Sequence, residues 1–236
     1  MKQIHFDTID STNTYLKNNY QNLDDMTFVS ATSQSSGRGR NNRTWLDDGN
    51  NLLFSLLIKN DYLMDSYKIL SILSAYSIIE VLETYGINNL SIKWPNDVYV
   101  DDNKICGILL ESVSKEKLEC LIIGVGLNVN QDIFEGEFIH QPTSMKNILN
   151  INIDIEELKN KIYERFVDNL NKLKNNYYFY DDIAKYDYLK GKQVYALINN
   201  NKCLVNVLGI NDDYSLRIKY EDKIENIETG EISFHI

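Results

Sequence analysis

The spacing of apolar positions changes repeatedly along the chain, and each change marks an expected element. Asp10-Ser11-Thr12-Asn13 offers helix N-caps, and Tyr15, Leu16 and Tyr20 give a short amphipathic helix behind them. Thr27–Thr32 and Asn51–Lys59 read as strands on either side of a polar segment rich in glycine and arginine. From Asp65 to Tyr85 the residues Ile69, Leu70, Leu73, Ile78, Ile79 and Leu82 recur at helical spacing, and Gly86 ends that helix. Four strands come next, at Leu90–Trp94, Val98–Val100, Ile105–Ser112 and Leu118–Ile123. Polar turns at 100–104 and 114–117 join them as hairpins, which predicts an antiparallel or mixed sheet. Asp154–Tyr177 is a long charged helix with Leu158, Ile162, Phe166, Leu170 and Leu173 on one face.

Beyond Asp187 the helical period disappears. Gln193–Ile198, Cys203–Ile210, Ser215–Tyr220, Lys223–Glu228 and Glu231–Phe234 alternate apolar and polar residues. Turn clusters at Asn199-Asn200-Asn201 and Asn211-Asp212-Asp213 separate them, the pattern of a small β-barrel. The expected fold class is α+β: a mixed or antiparallel sheet with flanking helices, then the barrel. The division is placed at 1–187 and 188–236.

Composition narrows the partners. The 236 residues are 43% hydrophobic and 25% charged, too apolar for disorder and long enough for one full core with a small appended unit. A net charge of -10 argues against a nucleic-acid surface, yet permits a small anion wherever positive charge is concentrated. No apolar run is long enough to span a bilayer, and Met1–Asp10 carries no targeting pattern. Cys106, Cys120 and Cys203 are widely spaced and odd in number, so neither a metal site nor a disulfide framework is indicated. They read as buried free thiols in a cytoplasmic protein.

Positive charge is concentrated in one place. Three of the five arginines, Arg38, Arg40 and Arg43, lie within Gly37-Arg38-Gly39-Arg40-Asn41-Asn42-Arg43-Thr44-Trp45. Guanidinium groups offer paired donors to carboxylate or phosphate, and the glycines let the backbone approach an anion. The segment is a candidate anion-binding lid. A second segment, Lys93-Trp94-Pro95-Asn96-Asp97, is followed by Lys104 and Gly107. Asp97 and Lys104 fall on the two arms of one hairpin. There a lysine could neutralise developing phosphoryl charge and a carboxylate could take a proton, or the two could form an ordinary surface pair.

Gly124-Val125-Gly126-Leu127-Asn128 has neither a dinucleotide fingerprint nor a Walker spacing. Its glycines either end a strand or admit a ligand, and the Asn128 amide could read an adenine edge. Ser11, Thr12 and Asn13 fit an N-cap as well as a binding site. His5, His140 and His235 lack partner spacing and read as structural.

The ordered set resembles the biotin–protein ligases, also called biotin–[acetyl-CoA-carboxylase] ligases. GRGRxxRxW is met by Gly37–Trp45, KWPND by Lys93–Asp97 and KxxGIL by Lys104–Leu109. Gly-x-Gly-x-Asn is met at Gly124–Asn128 and Ser-Thr-Asn at 11–13. Gly191-Lys192 and Gly230-Glu231-Ile232-Ser233 resemble the family's SH3-like barrel, and the first unit its class II synthetase-like domain. The resemblance implies that biotin and MgATP form biotinyl-5′-adenylate, which a lysine of a biotin carboxyl carrier domain of a biotin-dependent carboxylase then attacks.

By position, the resemblance makes Lys104, Asp97, Arg40 and Lys93 the catalytic group. Ser11, Thr12, Asn13, Gln34, Gly37, Arg38, Arg40, Lys104 and Gly107 would bind biotin. Arg38, Arg43, Trp45, Asn96, Asn128, Gly124 and Gly126 would serve the nucleotide. ATP, biotin and Mg2+ are the implied small molecules, and no metal-ligand set is expected in the chain. One position departs from the family: Leu53 stands where an aromatic residue often precedes Ser55 by two. Some relatives also carry an amino-terminal helix-turn-helix, whereas here the biotin segment starts by residue 10, which implies a monofunctional ligase. A homodimer is possible through a sheet edge. The rivals are a lipoate–protein ligase, with a different arginine-glycine segment, and a non-catalytic binding regulator.

Overall fold

The computed structural model describes residues 2–40, 43–136, 138, 140–198, 201–228 and the backbone of 232–233. In chain order the strands of the first sheet are β1 (Gln3–Ile9), β2 (Phe28–Gln34), β3 (Leu52–Ile58), β4 (Leu90–Lys93), β5 (Asp97–Val100), β6 (Asn103–Ser114) and β7 (Leu118–Leu127). Its helices are α1 (Thr12–Asn19), α2 (Asp61–Asp65), α3 (Tyr67–Thr84), α4 (Met145–Leu149), α5 (Ile155–Lys174) and α6 (Tyr180–Ala184). The spatial order is β1-β2-β3-β7-β6-β5-β4. β1 and β2 run parallel and every other neighbouring pair is antiparallel, so the sheet is mixed.

The middle of the sheet is buried on both faces, and β3 shows it most clearly. All seven of its residues are buried, because Leu52, Phe54, Leu56 and Ile58 join the main core while Leu57 meets Leu16, Tyr20 and Leu23 beneath α1. The long helices α3 and α5 cover the main face. Twelve residues of α3 are buried, so its apolar positions surround the helix rather than form a stripe. α5 keeps the stripe that its sequence shows, with Leu158, Ile162, Phe166, Leu170 and Leu173 buried. Asp154 caps it by accepting from Glu156 N and Glu157 N.

Four features differ from the sequence reading. β1 is absent from that reading; its residues are exposed or half-buried, so it carries little apolar signal and is fixed by pairing with distant β2. The helices α2, α4 and α6 have five residues each, too few for periodicity to declare. β7 runs through Gly124 and Gly126 to Leu127 rather than ending before them. Finally, Cys106 and Cys120 are buried free thiols, but Cys203 is only half-buried.

The second sheet contains β8 (Gln193–Ile198), β9 (Asn201–Ile210), β10 (Leu216–Tyr220), β11 (Lys223–Ile227) and β12 (Ile232–Ser233), in the order β11-β10-β9-β8-β12. All its pairings are antiparallel, in keeping with the expected SH3-like unit. Asn199, Asn200, Gly230, Glu231, Phe234 and His235 lie outside the described residues. Loop segments tie the second sheet to the first. Ile92 of β4 donates to Tyr186 O at 2.6 Å and accepts from Tyr188 N at 3.0 Å, so this segment lies along the outer edge of β4. Trp94 Nε1 donates to Tyr214 O at 3.0 Å.

Asp187 ties down the junction. Its carboxylate accepts from Leu189 N at 2.9 Å, Lys190 N at 3.2 Å and Ile210 N at 2.8 Å. Asp187→Ala should lower unfolding free energy by about 2 kcal/mol, since three backbone donors lose their acceptor. Asp187→Asn, which keeps one acceptor oxygen, should recover part of it in urea denaturation. A loss in the alanine variant below roughly 0.5 kcal/mol would show that the carboxylate is not a tether.

Candidate active site

The site is built where the amino-terminal end of α1 meets the middle of the first sheet. Ser11 caps α1, its side chain accepting from Thr14 N, so its hydroxyl serves the helix. Thr12 and Asn13 instead turn towards the strands. Thr12 N donates to Gln34 Oε1 at 2.7 Å, and the Thr12 hydroxyl lies 2.7 Å from Ser55 Oγ. Ser55 donates to Asn13 Oδ1 at 2.5 Å, and Asn13 Nδ2 donates to Glu111 Oε2 at 2.7 Å. Glu111 in turn pairs with Arg38 Nη2 at 3.0 Å, and the same nitrogen reaches Thr14 Oγ1 at 3.2 Å. A continuous polar chain therefore links Gln34, Thr12, Ser55, Asn13, Glu111 and Arg38.

Beside that chain the sheet surface is bare backbone. Gly124 and Gly126 face Leu109 and Gly107 across the β6–β7 ladder. A β-carbon on Gly124 would overlap Asn13 Oδ1. On Gly126 it would meet Trp45 Cε2 at 2.5 Å, and on Gly107 Trp45 Cζ3 at 2.8 Å. These glycines allow the Asn13 amide and the Trp45 indole to approach. Trp45 is carried there by the arginine segment, which folds back on itself: Trp45 N donates to Gly37 O at 3.0 Å and Gly39 N to Arg43 O at 2.7 Å. Trp45 Nε1 is buried with no acceptor among the described residues.

The charged groups converge at the edge of this floor. Lys104 Nζ lies 2.8 Å from Asp97 Oδ1, an ion pair rather than an aligned hydrogen bond, and 5.5 Å from the centre of the Trp45 ring. Arg40 Nη1 donates to Asn96 Oδ1 at 3.2 Å. Lys93 is 6% exposed, and its Nζ lies 2.5 Å from His140 Nε2. Burial pushes the Lys93 ammonium down to about 8; Lys104, Arg43 and Lys192 push the same way, and Asp97 opposes them. Arg43 thus acts on the cluster through its charge.

Asn128 stands apart. It is 4% exposed and its amide donates to Thr143 O at 3.0 Å. Leu53, the departure from the family pattern, is fully buried on the strand that carries Ser55.

Three participants escape the sequence reading. Ser55 is the one polar residue in an otherwise apolar β3, and that contrast is its signal in the sequence. Glu111 follows Gly107-Ile108-Leu109-Leu110 on β6, where a carboxylate within a strand is the corresponding signal. His140 reads as structural because only the fold brings it 47 residues back to Lys93.

Residues 5–128, which carry all of these groups but His140, match the model of the biotin/lipoate A/B protein ligase family. The chain belongs to that family. A solved member, the biotin protein ligase from Aquifex aeolicus in complex with biotin and ATP, is 31% identical with a TM-score of 0.84; the match covers 98% of this chain and 97% of that one. The bifunctional ligase/repressor BirA of Escherichia coli is 32% identical over 62% of this chain and 46% of that protein. The biotin–[acetyl-CoA-carboxylase] ligase of Paracoccus denitrificans is 32% identical over 51% of each. The chain thus spans about half the length of these curated relatives.

Gly126→Ala should drive the Trp45 indole off this family member's glycine floor, at a stability loss of about 1–3 kcal/mol. Iodide quenching of tryptophan fluorescence should rise, and Trp45 is the reporter because Trp94 is 2% exposed. Unchanged quenching would show that the indole does not rest on Gly126.

Proposed function

We propose that this chain is a biotin–protein ligase that activates biotin with ATP and transfers it to a lysine of a biotin carboxyl carrier domain. The observation that carries the reading is the arrangement of the arginine segment, whose Trp45 lies on the Gly107–Gly126 floor beside the Lys104–Asp97 pair. That arrangement joins a lid, a close-approach surface and a cation–carboxylate pair in one place. Family membership and similarity to a biotin protein ligase solved with biotin and ATP support it.

The biotin head is a cyclic urea with two N–H donors and one carbonyl acceptor. Gln34, Thr12 and Ser55 supply acceptors and donors in alternation at one end of the floor, as such a head requires. The apolar tail would lie along the glycines once the Trp45 indole has lifted from Gly107 and Gly126, where it now rests, and that path brings the carboxylate to Lys104. In the first step a biotin carboxylate oxygen attacks the α-phosphorus of ATP, the α–β phosphoanhydride breaks and pyrophosphate leaves. Lys104, with Lys93 behind it, stabilises the charge that builds on the phosphoryl oxygens.

Arg40 holds the lid to Asn96, on the nucleotide side. Arg38 is committed to Glu111 and would reach a phosphate only by leaving it. The Trp45 N–H is a donor for a ligand oxygen, and its ring excludes water from the mixed anhydride. In the second step the acceptor amine attacks the anhydride carbonyl and AMP leaves. Asp97 orients that amine or takes its proton. Mg2+ would arrive with ATP, bound through the phosphates as is usual for this ion. Among the described residues no group of three His, Cys, Asp or Glu side chains gathers to hold a metal ion.

Purified protein should release pyrophosphate from MgATP when biotin is added, with biotinyl-adenylate found by mass spectrometry. Release with lipoate alone would move the chain to the lipoate branch of the family, and release with neither, despite ligand binding, would favour a regulator. Lys104→Ala should slow adenylation about a hundredfold while ATP affinity changes by less than about threefold. Equal losses in rate and affinity would reduce Lys104 to a binding role.

A further inference from the structure

We infer that His140 is a positioning residue: its Nε2 holds the Lys93 side chain at the Asp97–Lys104 pair, and full adenylation rate depends on that contact. The inference rests on the ligase reading above and adds to it a residue outside the 5–128 family match.

The contact is short and well supported. His140 Nε2 lies 2.5 Å from Lys93 Nζ, and Lys93 is almost wholly buried at the end of β4. The imidazole stands edge-on to Tyr99, with ring centres 5.6 Å apart, and Tyr99 is itself stacked on Tyr188 at 4.9 Å. The Lys93 ammonium lies over the same Tyr99 ring at 5.6 Å. The next residues fix the backbone: Lys104 N donates to Gln141 O at 2.8 Å and Thr143 N to Lys104 O at 2.9 Å. One short segment thus anchors the strand bearing Lys104 and reaches the side chain of Lys93.

The direction of the hydrogen bond follows from the charges facing it. Burial pushes the His140 imidazole down to about 4; Lys93, Lys104 and Arg43 push it the same way, against Asp97. It is therefore neutral near pH 7 and accepts from the Lys93 ammonium through Nε2, which leaves its proton on Nδ1. An acceptor on the ammonium favours the charged lysine and opposes the desolvation that lowers its affinity for a proton. Without His140, Lys93 should lose its proton at lower pH and its side chain should be held less firmly. Lys93 supplies positive potential to the phosphoryl centre only while charged, so the alkaline limb of adenylation should move with it.

The test compares wild type, His140→Ala and His140→Gln, the last placing an amide oxygen near the lost Nε2. Acetylation of Lys93 against pH, read by mass spectrometry, should show a midpoint near 8 in wild type. It should fall by about half a pH unit or more in His140→Ala and recover in His140→Gln. Biotin-dependent pyrophosphate release should show a parallel shift of its alkaline limb. Its kcat should be about tenfold lower in the alanine variant, with little change in KM for ATP. An unchanged Lys93 midpoint in His140→Ala would overturn the contact, and an unchanged kcat and pH profile would overturn the role. Wild-type protein that releases no pyrophosphate with biotin would remove the ligase reading itself, while the lysine titration still tests the contact.

Discussion

Missing side chains decide where everything else in the site can stand. Gly107, Gly124 and Gly126 leave a patch of bare backbone on β6 and β7, beside a central strand, β3, that is covered on both faces. Asn13 approaches one part of it and Trp45 another, each closer than a β-carbon would permit. Because Asn13 sits there, the polar chain from Gln34 to Arg38 can close through Ser55 and Glu111. Because Trp45 sits there, the arginine segment lies over the Lys104–Asp97 pair instead of extending from the surface.

Charge is arranged around that patch with unusual concentration for an acidic chain. Lys93, Lys104, Arg40 and Arg43 come from a strand end, a second strand and a loop, with Asp97 as the carboxylate paired to Lys104. Mutual repulsion and burial both disfavour the Lys93 charge, and Asp97 offsets only part of the effect. Such frustration is common where a protein must meet an anion, because the ligand's own charge relieves it.

Much of this is legible in the sequence, and the limits have physical causes. α3 and α5 declare themselves because eighteen and twenty residues give helical periodicity room to emerge. The β5–β6 hairpin is legible from its turn, which puts Asp97 and Lys104 on facing arms; the shift between Val98 and Tyr99 that sets Asp97 opposite Gly107 is not. β1 leaves little local trace, for its partner is a parallel strand twenty-five positions away in register. Gly124 and Gly126 are open to reading as a strand end because glycine weakens strands; only packing shows that β7 runs through them. The motifs mark the residues that the fold gathers at the candidate site, but not the Ser55, Glu111 and His140 side chains that touch them.

The outer edge of β4 has a consequence for the order of events during synthesis. Its last hydrogen-bonding partner is the segment from Tyr186 to Tyr188, made long after the strand itself. While the chain grows from the ribosome, the strand ending in Lys93 is therefore an open edge until that segment emerges and docks. A nascent chain halted before residue 186 would hold all seven strands of the first sheet, with the strand that ends in Lys93 still unpaired along its outer side.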